Sequence, residues 1–200
     1  IDFCPQAEEI AEIAVPHLEQ AEQAIISFGQ GCEGEPSLAQ SQICQALRLI
    51  RSRTDQGKIN INTNAGHTEA IGHLLAAGMD SFRVSLFSPL AGEYAAYHQP
   101  RDYGFPDVLA SLRLIQKAGR PAALNLLAYP GFTDTEQRLA ALVSLAREYG
   151  LAQIQLRNLN CDPRLMTPFC QGQRGMGMGP FLAELAKALP ETAIGSYSHA

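Results

Sequence analysis

The densest group of residues capable of chemistry is the run Phe28-Gly29-Gln30-Gly31-Cys32-Glu33-Gly34-Glu35-Pro36. Glycines there let the backbone turn tightly and approach a ligand, and two carboxylates so placed can hold an ammonium group or a metal ion. The same Gly-Glu-Pro sequence also suits a turn that caps a helix beginning near Ser37. Three further groups share this double character. Thr63-Asn64-Ala65-Gly66-His67 offers short polar side chains to a ligand, or to a turn and a helix start. Ser85 precedes a long segment through Tyr97-His98-Gln99-Pro100-Arg101, where His98 is a candidate substrate contact. Tyr129-Pro130-Gly131-Phe132-Thr133-Asp134 completes the set. The cysteines, Cys4, Cys32, Cys44, Cys161 and Cys170, are odd in number and irregularly spaced, so they form neither a disulfide framework nor a closed four-ligand zinc site. They read as reduced thiols, mostly buried. The lysines, Lys58, Lys117 and Lys187, stand at no strand's C-terminal end, which argues against an aldolase-type Schiff base.

These groups are strung between elements that alternate along the chain. Ile10, Ile13, Ala14 and Leu18 recur at helical spacing over residues 8–20, and residues 24–28 then read as a strand. The alternation repeats four times. Residues 37–53, 68–77, 107–117 and 134–148 are expected helices, followed by expected strands at 58–62, 82–86, 122–127 and 153–157. Strands separated by helices cannot be hairpins, so the sheet is expected to be parallel with right-handed crossovers. Parallel strands covered on both faces read as unbroken apolar runs. Here Ser27, Asn60, Asn62, Arg83, Ser85, Asn125, Gln155 and Arg157 place polar side chains on alternate positions. One face then packs on helices while the other is polar. The fold class is therefore α/β, a partial, incomplete TIM-like (β/α) barrel of about five parallel strands with helices on its outer face and its site at the strands' C-terminal ends.

Fifteen Lys+Arg against 20 Asp+Glu, a net charge of −5, exclude a broad nucleic-acid surface. A chain 46% hydrophobic and 18% charged is not a disordered one. No apolar run approaches the roughly 18 residues of a membrane helix, and no basic-then-apolar leader opens the chain, so a cytoplasmic location is expected. Residues 1–160 read as the barrel core. Residues 161–200 read as a Gly/Pro-rich connection and a C-terminal helix at 181–189 packed on the barrel, with a frayed end from Gly195. The glycine-rich run from Gln171 to Gly179 lacks the strand and the Lys-Ser/Thr ending of a phosphate loop.

The run Phe28 to Leu38 resembles the Gly-Gly-Glu region of radical S-adenosylmethionine (radical SAM) enzymes. Further similarities keep the family's order. Asn62-Thr63-Asn64-Ala65-Gly66 is similar to its Thr-Asn-Gly stretch, and Phe82-Arg83-Val84-Ser85-Leu86, with Tyr97-His98 and then Phe105 to Gly119, resembles its next strand, loop and helix. Pro130-Gly131-Phe132-Thr133-Asp134 resembles its Pro-Gly-x-Thr-Asp. The resemblance implies a (β/α)6 partial barrel that binds S-adenosylmethionine and a [4Fe–4S] cluster and generates a 5′-deoxyadenosyl radical. By motif position it implies that Glu33, Gly34 and Glu35 contact the methionine amino group. Ser85, Asn62 and Asn64 would face the ribose or carboxylate, and Asn125 and Asn158 the adenine or substrate region. It assigns no catalytic residue.

The sequence departs from the family at the cluster. The family's three cysteines, spaced C-x3-C-x2-C, have no counterpart here, and the opening Ile1 falls in what would be the first helix. The expectation is a fragment that by itself is inactive and carries no metal, cut from a parent that holds the cluster and S-adenosylmethionine. The alternative is a cluster-less β/α-barrel binding or scaffold module. The substrate, a small molecule, a peptide or an RNA, is not specified by the sequence; no membrane partner is expected, and the exposed edge of the first strand predicts self-association.

Overall fold

The computed structural model describes residues 4–29, 34–159, 161–170 and 174–195. Its strands are β1 (Ile25–Phe28), β2 (Lys58–Thr63), β3 (Ser81–Leu86), β4 (Ala122–Ala128), β5 (Gln153–Asn158) and β6 (Ala193–Gly195). Its helices are α1 (Ala7–Gln20), α2 (Gln40–Arg53), α3 (Thr68–Ala76), α4 (Ala91–His98), α5 (Phe105–Lys117), α6 (Glu136–Tyr149), α7 (Pro163–Cys170) and α8 (Met178–Ala188). The strands form one parallel sheet ordered β1-β2-β3-β4-β5-β6, open at β1 and β6. The expected α/β partial barrel is thus observed, with six strands where the sequence indicates five.

The chain divides into two compact units, one of Ile1–Arg83 with Pro106–Pro121, the other of Val84–Phe105 with Ala122–Ala200. In the first unit apolar residues at helical spacing supply the core: Leu18 of α1, Leu47 and Ile50 of α2, Ile71 and Leu74 of α3, and Val108, Leu112 and Ile115 of α5 are buried with Ile59 and Ile61 of β2. The ends of the strands away from the candidate site are fastened by charge. Asp80 Oδ2 accepts from Arg51 Nη2 at 2.5 Å and from the Ile59 amide at 2.8 Å, tying α2, β2 and the approach to β3 together.

In the second unit β4 shows the cleanest period-two pattern, with Ala122, Leu124, Leu126 and Ala128 buried between half-buried Ala123, Asn125 and Leu127. Thr135 caps α6, accepting from the Arg138 amide, and Gly150 ends it in the left-handed conformation at φ 61°. Three elements here were not expected. The segment after Ser85 contains α4, the connection after β5 contains α7, and residues 193–195 form β6, while the rest of the expected frayed end, residues 196–200, lies outside the described residues. Each is short: α4 buries Tyr94 alone, and α7 buries Met166 beside an internal Pro168.

Candidate functional site

In the first unit the glycine-rich loop after β1 is fastened at both feet to the end of β2. At its first foot, Gly29 adopts φ +76°, and a Cβ there would lie 2.4 Å from the Asn62 carbonyl oxygen. Only glycine allows that approach. The Gly29 carbonyl accepts from Asn62 Nδ2 at 3.3 Å, and Asn62 Oδ1 in turn accepts from Arg83 Nη1 at 3.2 Å. At its second foot, Glu35 Oε1 accepts from the Ser37 amide at 3.0 Å and from the Thr63 hydroxyl at 2.5 Å, and Oε2 accepts from the Asn64 amide at 2.7 Å. The Glu35 carboxylate therefore caps the short 3-10 turn Pro36–Ala39 and joins it to β2.

The polar positions of β1 to β3 meet one another as the alternation requires. The Asn60 carboxamide lies 3.1 Å from Ser27 Oγ, 2.9 Å from Ser81 Oγ and 3.3 Å from Asn62 Oδ1. Asn60 and Arg83 are buried, so these polar positions form a hydrogen-bonded ladder among themselves.

The second unit holds a different constellation beyond the end of β4. Arg138 Nε and Nη2 grip Glu93 at 2.9 and 2.5 Å, while Nη1 donates to the Phe132 carbonyl at 2.7 Å and its guanidinium lies 3.6 Å from the Phe132 ring centre. Ser88 also donates to Glu93. Buried Asp134 accepts from the Gly131 amide at 2.5 Å and the Gly177 amide at 2.8 Å, and a Cβ at Gly175 would lie 2.4 Å from its Oδ2. Phe87 stacks on Tyr97 at 4.0 Å and on Phe132 at 4.5 Å, with Phe169 edge-on. His98 lies 4.3 Å from the Tyr94 ring, its Nε2 is buried without a hydrogen-bond partner, and desolvation lowers its pKa to about 4. It is a neutral imidazole within an aromatic cluster.

The residues singled out from the sequence separate accordingly. In the first unit, Gly34 is exposed at φ +94° with open space where a Cβ would stand, so its backbone is approachable. Asn62 and Asn64 sit at and just after the end of β2; the Asn64 side chain accepts from the Gly66 amide at 2.8 Å in a turn. Glu33 and Cys32 lie outside the described residues, as do Gln171 to Gln173. In the second unit, Ser85 is half-buried on β3, Asn125 Oδ1 is buried without a hydrogen-bond partner on β4, and Asn158 is exposed at the end of β5. Arg157, expected on the polar face, is exposed. The sequence places Thr63 in a polar turn without indicating its bond to Glu35, and gives no sign of Glu93, because their partners lie 28 and 45 positions away.

The described cysteines, Cys4, Cys44, Cys161 and Cys170, are all free. Burial pushes the Cys44 and Cys170 thiols up, with Arg48 and Arg138 respectively opposing. Among the described residues no three His, Cys, Asp or Glu side chains converge to hold a metal ion. These residues do not fit an iron–sulfur cluster. No helix of the described residues is long and apolar enough to cross a membrane.

The fold is shared with solved structures. A domain of the pyruvate-formate lyase-activating enzyme from Bacteroides vulgatus superposes with a TM-score of 0.60 at 12% identity, over 85% of this chain and 98% of that one. SuiB from Streptococcus suis, solved bound to S-adenosylmethionine, gives 0.66 at 11% identity, over 97% of this chain and 42% of SuiB. A radical SAM methyltransferase from Sphaerobacter thermophilus gives 0.65 at 19% identity, over 98% of this chain and 59% of that one. The chain has the radical SAM core fold, and it spans about half the length of the latter two proteins. No protein-family model and no curated protein matches the sequence.

Proposed function

We propose that this chain is the S-adenosylmethionine-binding core of a radical SAM enzyme acting in the cytoplasm on a small molecule, a peptide or an RNA. The observation that carries the reading is the fastening of Gly29 and of Glu35 onto the end of β2, with open space where a Cβ would stand at Gly34. It sits within a fold shared with a protein solved with S-adenosylmethionine bound. Glycine conformation and open space fit a ligand that must approach the backbone closely. When bound, S-adenosylmethionine supplies the 5′-deoxyadenosyl group for hydrogen abstraction. This chain's own contribution is to hold and orient it. Free thiols in every described cysteine support the cytoplasmic assignment.

Calorimetric titration of the folded chain with S-adenosylmethionine is expected to show saturable binding at one site, weakened by Gly34→Val. A folded chain that takes up no S-adenosylmethionine overturns the reading. The second reading, a cluster-less binding module, is favoured by the scattering of the described cysteines, of which burial pushes the Cys44 and Cys170 thiols up. Anaerobic reconstitution of the whole protein with iron and sulfide separates the two. Cluster formation with release of 5′-deoxyadenosine supports the enzyme, and binding without either supports the module.

A further inference from the structure

We propose that Thr63 is a positioning residue of the S-adenosylmethionine subsite, acting through Glu35 and not on the ligand; this rests on the binding function proposed above. Buried Thr63 uses its hydroxyl in both senses. The oxygen accepts from the Ala65 amide at 2.9 Å, and the proton goes to Glu35 Oε1 at 2.5 Å. The Ala65 bond helps fix the direction in which the hydroxyl donates. Glu35 completes the bracket with the Ser37 and Asn64 amides, so both carboxylate oxygens are engaged by the protein itself. A carboxylate held in this way is an orienting strut. What it orients is its neighbour Gly34, whose left-handed backbone faces open space. Asn62 holds the other foot of the loop through the Gly29 carbonyl. Three consecutive residues, Asn62, Thr63 and Asn64, thus hold Gly29 and Glu35, and Thr63 sets the place of Gly34 through a side chain that acts on Glu35 and not on the ligand.

The competing view is that Glu35 grips the ligand's amino group directly and Thr63 is incidental. Binding of S-adenosylhomocysteine to the folded 200-residue chain, measured by calorimetry, separates them. Thr63→Val is expected to weaken binding about tenfold, Thr63→Ser to stay within about twofold of the parent, and Thr63→Val with Glu35→Gln to be no weaker than Glu35→Gln alone by more than about twofold, because the two act as one unit. Amide exchange reads the same bracket without ligand. Thr63→Val is expected to speed exchange at Asn64 while leaving Ile59 and Ile61 protected, which also shows that the variant is folded. Parent-like affinity in Thr63→Val alongside a loss in Glu35→Gln overturns the inference and leaves the binding function standing. Absence of binding by the parent chain overturns both. Should Thr63→Val not fold, exchange at Asn64 in Glu35→Gln decides: faster exchange supports the strut, and unchanged exchange overturns it.

Discussion

Replacing Glu93 by alanine strips the carboxylate from an Arg138 side chain that is only 3% exposed, whereas Arg138→Met strips the cation from a Glu93 side chain that is 22% exposed. The two losses are unequal for that reason. Breaking a buried ion pair costs about 3–5 kcal/mol when the surviving charge has no other partner. In Glu93→Ala the guanidinium keeps the Phe132 carbonyl at 2.7 Å, Thr135 Oγ1 at 3.1 Å and the Phe132 ring, which puts the expected cost near the lower end, about 3 kcal/mol. In Arg138→Met water reaches Glu93 and Ser88 still donates to it, so the loss is mainly the cap on the Phe132 carbonyl and packing, about 1.5 kcal/mol. The double variant is expected at about 2 kcal/mol, well below the combined single losses, because neither charge is left stranded. Urea unfolding followed by circular dichroism and tyrosine fluorescence measures this; the chain contains no tryptophan. An Arg138→Met variant less stable than Glu93→Ala, or strictly additive losses, refutes the assignment of Arg138 as the stranded partner.

Gly29→Ala forces a Cβ to within 2.4 Å of the Asn62 carbonyl oxygen at φ +76°, and is expected to cost about 2–4 kcal/mol in the melting of the first unit and to abolish ligand binding. His98 is neutral in the fold, with its pKa lowered from 6.5 to about 4 by burial. Between those values the unfolded chain takes up a proton that the folded chain does not, so stability falls as pH drops from 6.5 to 4 and gains nothing from this group above 6.5. Partial exposure of the ring reduces the effect to about 1–2 kcal/mol, measured by urea unfolding across that range, and His98→Phe is expected to flatten it. Self-association through the β1 edge is also proposed, since Ile13 is 78% exposed beside a groove of about 480 Å³ lined by Ile10, Ala14, Ile26 and Phe28. Sedimentation velocity is expected to show concentration-dependent dimers that Ile13→Glu disperses, and a monomer at high concentration contradicts it.

What the sequence makes legible is what recurs locally. Ile43, Leu47 and Ile50 mark the buried stripe of α2, and Leu124 and Leu126 mark the buried side of β4, because periods of 3.6 and 2 are carried by neighbouring residues. The short elements escape because they carry too few periods: α4 contains Gly92 and α7 contains Pro168, both poor helix residues. The strands and turns that carry the candidate residues are legible in the sequence, and the hydrogen bonds that join them are not. Glu35 stands in the sequence without any sign of its partner Thr63, 28 residues away. The role of Asp134 likewise depends on Gly177, 43 residues later. Hydrogen bonds over such separations leave no periodic trace.

The most direct test of the account is a backbone amide NMR titration of the chain with S-adenosylmethionine. The account predicts saturable shifts concentrated at Gly29, Gly34, Asn62 and Asn64, with Ile59 and the Arg51–Asp80 end of the unit unmoved. Saturable shifts elsewhere, with those four amides silent, contradict it.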